Sequence, residues 1–506
     1  MRTKNSLYNF LISAISSLII PLLGFLKVRF FVDLYGSEIN GLQLVIMQVI
    51  TYLNLFELSF SLAFRQLLYK PLAENNRNKI LSIYNSACKM FRFTGTAFIV
   101  VCFVVGLLIP FFVETTISYF EIFLYFLILA LPYGISYFMM GPNFVIIADQ
   151  KEYKISIFIQ SIAILRMFLM IVFIKLRFPV VTIFLIEGIQ ILISNFIARK
   201  IALKEYPWLL DEYNGEEDSS FKENVKYTTI HRLSVIASNN TDNIVIGTFA
   251  GLKSVSIYGA YTYLSEAITK IINSAITSPI NSFGNLFNDS DKEKAYEIFT
   301  EHFNLSNYIG TIIGVCVFVA IDRFVLLWMG NVEYVLPTFA LFLFSLNLYY
   351  LTQRESVLIT RDANGLFKES KNNAYLMVFT KIVLSIILVK KFDVVGVLVA
   401  TSIVYWIVDF FYNPILIYKK VFHMNPMRYY KMIASRIVLA LSIGFLSYAL
   451  FNHFAYFIDV NKIHFIISCL ILGIFVFVIT SVFYFILYKS FRNLVNRFYR
   501  IIFKRG

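Results

Sequence analysis

Apolar runs of about twenty residues, each long enough to cross a bilayer as a helix, recur almost from end to end of this 506-residue chain. About fourteen can be drawn by that ruler, near 7–30, 41–63, 93–113, 120–142, 155–175, 179–199, 227–250, 256–281, 305–327, 335–358, 374–390, 394–418, 432–454 and 464–488. No water reaches the backbone in a bilayer core, so only helices and closed barrels span it. Runs of this length select helices. Hydrophobic residues make up 58% of the chain and charged residues 15%, against about 25% charged in soluble domains. The sequence therefore predicts an all-α polytopic membrane protein of about 14 transmembrane helices. The first run follows Arg2 and Lys4 without a small-residue cleavage site and reads as a retained helix.

The net charge of +14 orients the chain. The basic residues lie between apolar runs, at Arg65 to Arg92, Arg199 to Lys226, Lys419 to Lys431 and Lys489 to Arg505. That is the positive-inside pattern, and it points to no nucleic-acid partner. An even number of spans puts both termini in the cytoplasm and leaves only short external loops. The tail from Lys489 also reads as a basic helix at an anionic leaflet. Cys88, Cys102, Cys316 and Cys469 have neither metal nor disulfide spacing. No phosphate-cradling loop is present. No cofactor, metal or catalytic residue is expected. Energy would come from an ion gradient, the membrane potential or consumption of product.

A repeat appears at a shift of about 215 residues. Gly36 matches Gly251, the stretch from Arg29 to Val32 falls on Ile244 to Gly247, and Gly95 falls on Gly310. Six spans per repeat is even, so the halves share an orientation. This predicts two six-helix bundles related by a pseudo-two-fold along the membrane normal, plus two extra C-terminal helices. The expected organisation is an N-terminal bundle at 1–200, a cytoplasmic linker at 201–226, a C-terminal bundle at 227–425, helices 13 and 14 at 426–490, and a basic cytoplasmic tail at 491–506.

Spans 7 and 8 are unusually polar. Span 7 holds His231, Arg232, Ser238 to Asn240, Asp242 and Asn243; span 8 holds Glu266 and Lys270, one turn apart on one face. A charge at the bilayer centre costs on the order of 3 kcal/mol or more, so such residues face a cavity, a partner or a pathway. Span 1 adds Lys27 and Arg29, and span 2 adds Glu57. A guanidinium fork grips two oxygens of a phosphate and an ammonium acts as a point charge. Lys27, Arg29, Arg232 and Lys270 are thus candidates for binding an anionic headgroup, and Glu57, Asp242 and Glu266 for charge balance or ion coupling. The structural alternative pairs Glu266 with Lys270 and Glu57 with Arg232. Arg166 with Glu187, and Lys381 with Asp409, read as neutralising pairs.

Short motifs in a fixed order carry a resemblance. Asn40-Gly41-Leu42, Leu68 to Glu74, Ile147 to Lys151, Thr241 to Gly247, Ser282 to Phe287, Leu327 to Gly330 and Gly396 to Thr401 resemble those of Wzx-type oligosaccharide flippases, in the multidrug/oligosaccharidyl-lipid/polysaccharide exporter superfamily. The resemblance implies a MATE-like fold in the bacterial cytoplasmic membrane. It implies a substrate, an undecaprenyl-diphosphate-linked oligosaccharide, that crosses from the inner to the outer leaflet for capsule, O-antigen or exopolysaccharide assembly. Implied partners are membrane lipids, a coupling ion (Na+ or H+), a polymerase and glycosyltransferases. Asp33 and Glu38 depart from the more basic span 1 exit of the family. The alternatives are an ion-coupled MATE-type exporter of small molecules, and a membrane polysaccharide polymerase or ligase. Cationic span residues count against the first, and short outer loops against the second.

Overall fold

The computed structural model describes residues 2–211, 241–277, 292–453 and 462–503. Arg232 and His231, Ser238 to Asn240, and the motif from Ser282 to Phe287 lie outside the described residues. Every regular element among the described residues is helical, as the apolar runs require, and the chain is an all-α polytopic membrane protein. It divides into two compact units, Met1–Gly259 and Ala260–Gly506.

The first unit contains α1 (Arg2–Tyr35), α2 (Ser37–Leu53), α3 (Leu55–Ala73), α4 (Arg77–Phe112), α5 (Tyr119–Ser136), α6 (Gly141–Ala148), α7 (Tyr153–Lys175), α8 (Val180–Glu205), α9 (Asp242–Phe249) and the first turns of α10 (Gly251–Thr277). Predicted span 2 is interrupted at Asn54, whose side-chain oxygen accepts from the Tyr137 hydroxyl at 2.6 Å. A glycine lets two backbones approach where no hydrophobic force separates helix from lipid. Gly95 of α4 accordingly faces the Gly134 carbonyl of α5. Phe64, Phe91 and Phe144 fill the core beside it, with Phe91 and Phe144 stacked at 4.9 Å. The motif from Ile147 to Lys151 forms a turn whose Lys151 reaches Asp149 at 2.8 Å and Glu205 at 2.9 Å, tying α6 to the end of α8.

The second unit holds the rest of α10, then α11 (Lys292–Met329), α12 (Thr338–Gln353), α13 (Glu355–Ala363), α14 (Phe367–Ile403), α15 (Phe410–Lys420), α16 (Met427–His453), α17 (Lys462–Leu487) and α18 (Lys489–Phe503). Predicted spans 11 and 12 meet inside α14, where Asp393 takes φ 51°. A methyl on Gly396 would run into the Leu388 carbonyl, so the reversal is a tight hairpin. A π-helical turn, Val404–Asp409, follows it.

The residues matched by the repeat behave alike. Gly36 and Gly251, each between two helices, have φ 87° and 82°, a backbone region that glycine enters without strain. Gly310 of α11 packs against Thr352 and Tyr349 of α12, as Gly95 packs against α5. Seven helices among the described residues are long and apolar enough to cross a membrane on their own. Predicted span 2 is broken at Asn54 and span 10 at Arg354, and α10 carries Glu266 and Lys270; most of predicted span 7 lies outside the described residues.

Candidate functional site

Four helices of the first unit meet around one buried carboxylate. Glu187 of α8 accepts from Arg166 of α7 at 3.0 Å and from the Gln43 amide of α2 at 2.5 Å. The Gln43 carbonyl oxygen in turn accepts from Lys27 Nζ of α1 at 2.8 Å. Lys27 is buried, and its ammonium also lies 4.4 Å from the Phe31 ring centre. Arg166 pairs with Glu187 as depth along the spans predicts, and Gln43 draws Lys27 into the same network. Two cations share one carboxylate, and Arg166 Nε has no acceptor. Arg29 instead turns to Asp33 at 3.4 Å, both partly exposed. Glu57 accepts from the Ser61 hydroxyl one turn on.

The hairpin of α9 and α10 closes against α2. Asn40 Nδ2 donates to Ser256 Oγ at 2.8 Å, and the Ile244 N–H donates to Gln48 Oε1 at 3.0 Å. The Tyr52 and Thr241 hydroxyls meet at 2.9 Å. A methyl on Gly41 would collide with the Leu252 carbonyl, and one on Gly259 with Leu44. The loop after α4 adds backbone bonds: the Glu114 N–H donates to Gly247 O at 3.2 Å, and the Leu252 N–H donates to Glu114 O at 3.4 Å. Glu38 holds the same loop to the start of α2. It accepts from Thr115 Oγ1 at 3.1 Å, Thr116 Oγ1 at 2.8 Å and the Thr116 N–H at 3.3 Å. Burial pushes the Glu38 carboxyl up, but these hydrogen bonds outweigh it and hold it below the usual carboxylate range. Asp33 and Glu38 therefore both have local partners, Arg29 for Asp33 and the threonines for Glu38. Asp242 begins α9, buried, and accepts from the Tyr258 hydroxyl at 2.6 Å.

Glu266 and Lys270 both lie exposed on α10; they interact electrostatically, with no ion pair within 4 Å between them among the described residues. Asp409 takes Arg354 at 3.4 Å rather than Lys381, together with the Tyr350 hydroxyl at 2.9 Å and the amides of Asn373 and Asn413. Sequence reasoning also missed Gln43 and Gln48. Their signal was available: three amide side chains, Asn40, Gln43 and Gln48, in an otherwise apolar stretch.

The second unit contains a cavity of about 440 Å3 between α11, α12 and α16. Gly310, Gly314 and Gly444 make room for it, and Val315, Phe318, Leu441, Phe445 and Tyr448 line it. Phe445 and Leu441 are themselves exposed on the outer face of the unit. The walls are almost wholly apolar, with Thr311, Ser345, Tyr349 and Tyr448 supplying the hydroxyls among the lining side chains.

The arrangement is that of a polytopic all-α membrane protein, and comparison with solved structures specifies the fold. The chain is similar to the lipid II flippase MurJ in an inward closed conformation, with TM-score 0.70 and 16% identity, over 96% of this chain and 100% of that one. It is similar to an inward-facing MATE-family multidrug resistance transporter of the MOP superfamily, with TM-score 0.60 and 12% identity, over 78% and 96%. The eukaryotic MATE transporter AtDTX14 follows at TM-score 0.53 and 13% identity, over 83% and 97%. No family model and no curated sequence matches the chain. The fold is thus the MATE-like fold that the ordered motifs imply.

Proposed function

We propose that this protein is a flippase that carries a lipid-linked oligosaccharide, joined through a diphosphate to a long isoprenoid chain, from the cytoplasmic to the outer leaflet of a bacterial cytoplasmic membrane. The observation that carries this reading is the apolar cavity of the second unit. A polar sugar diphosphate cannot cross about 30 Å of hydrocarbon unaided, whereas its hydrocarbon tail can stay in an apolar groove. Spans 13 and 14, which have no counterpart in the repeat and carry little internal charge, are the expected groove for that tail. The cavity supports α16, which is span 13, and adds α11 and α12 as the other walls. Lys27, Arg29, Arg232 and Lys270 are the candidate contacts for the diphosphate, and Glu57, Asp242 and Glu266 the candidates for charge balance or coupling to Na+ or H+. The sealed contact of α2 with α9 and α10 supports an alternating-access cycle in which that contact opens. Likeness to a lipid II flippase over almost the whole chain agrees with the same reading.

The test is reconstitution with a fluorescent undecaprenyl-diphosphate sugar, scoring its appearance in the opposite leaflet. Losing a charge-assisted contact to the diphosphate costs roughly 1.5–3 kcal/mol, or about ten- to a hundredfold. Arg232→Ala and Lys270→Ala are each expected to lower the rate by that factor. Gly444→Leu, which fills the cavity beside Val315, is expected to lower it as well. Export of small cationic dyes with no movement of the lipid-linked sugar would replace this reading with the exporter.

A further inference from the structure

α18 begins two residues after α17 ends, and side-chain contacts tie the join. Arg492 turns back and donates to the Phe485 and Ile486 carbonyls at 3.1 and 3.0 Å, covering the open C-terminal carbonyls of α17. Phe491 is buried between the rings of Tyr308 and Tyr484, at 5.0 and 5.5 Å. Two turns on, Arg497 pairs at 3.1 Å with Glu301, a buried carboxylate of α11. These contacts set a register: α18 runs beside α11 from Tyr308 back to Glu301. The apolar run of α11 starts near residue 305, so the first turns of α18 lie at the depth where hydrocarbon gives way to headgroups.

The charge of this C-terminal segment has one sign. From Lys489 to Gly506 there are six basic residues, Lys489, Arg492, Arg497, Arg500, Lys504 and Arg505, and no acidic one. Lys489 and Asn496 are exposed, and so is the apolar Val495. A helix with an apolar side and a basic side suits the boundary of an anionic leaflet. We propose that α18 is a binding element for anionic phospholipid, its cations engaging headgroup phosphates of the leaflet in which α17 ends. An acidic soluble partner fits less well, because Phe491 and Arg492 hold the helix start at the depth of the bilayer edge.

The full-length protein in nanodiscs of phosphatidylcholine, with and without added phosphatidylglycerol, tests this by amide exchange. Each basic residue near an anionic surface favours association about fivefold. Exchange across α18 is expected to slow at least tenfold with phosphatidylglycerol and to recover in high salt, which screens exposed charge. The combined variant Lys489→Gln, Arg500→Gln, Lys504→Gln, Arg505→Gln spares Arg492 and Arg497; it should lose the lipid dependence while α11 exchanges as before. Equal protection in both bilayers would show that contacts within the protein alone hold the helix, and would overturn the proposal. So would equal protection from inorganic phosphate added to phosphatidylcholine discs. No substrate enters the measurement, so its outcome is independent of the flippase assay.

Discussion

Glu187 balances two cations, Arg166 directly and Lys27 through Gln43, and this separates a structural lysine from a transporting one. Removing one partner of a buried pair leaves an uncompensated charge, at a cost of about 3–5 kcal/mol. Glu187→Ala is therefore expected to destabilise the detergent-solubilised protein by that order, read as a lowered midpoint of thermal unfolding. Lys27→Met leaves Arg166 and Glu187 neutral as a pair. It leaves the Gln43 carbonyl without its donor, so it should unfold about 1–3 kcal/mol below the parent, less than Glu187→Ala, yet lose transport if Lys27 meets a headgroup. A midpoint falling as far in Lys27→Met as in Glu187→Ala would make Lys27 purely structural. Of this network, the sequence shows Arg166 and Glu187, because two opposite charges at equal depth in neighbouring spans have few other partners. Gln43 is invisible in that way, since depth says nothing about which side chain spans the gap between α1 and α8.

Rotation of an element about its own axis is the other quantity that depth cannot supply. Asp409 ends a π-helical turn, which shifts the face that each later residue presents, and it meets Arg354 rather than the expected Lys381. Glycines are better read. The repeat aligns Gly36 with Gly251 and Gly95 with Gly310 before any coordinates, and each pair shares a backbone conformation or a packing role. The seal between α2 and the α9–α10 hairpin depends on such small residues, so a bulky side chain should spring it and a bond should lock it. Gly36 has no neighbour within contact of an added Cβ, and Gly251 faces Glu114; the cross-link belongs at Asn40 and Ser256, already in side-chain contact. Oxidation of the Asn40→Cys, Ser256→Cys pair is expected to abolish transport reversibly, with full recovery on reduction. Undiminished transport in the oxidised protein would mean that this contact never opens during the cycle.

For the whole molecule, the distribution of Lys and Arg leads us to expect both termini in the cytoplasm. A reporter at Gly506 should therefore register inside and one at Lys253, exposed in the first turn of α10, outside; the same side for both would break the order of spans on which the repeat rests. Length and polarity made the all-α membrane class legible, because they are sums over many residues. The location of the apolar cavity was only half legible, since it is a gap among three helices and no single stretch encodes it. The reversal at Asp393 and Gly396 has a further consequence, for how the chain reaches the membrane at all. With no loop between its two arms, the stretch from Phe367 to Ile403 has no free segment to thread across once the first arm is seated. The two arms are therefore expected to insert together as one hairpin; stable insertion of a chain truncated after Lys391 would show that the first arm seats alone.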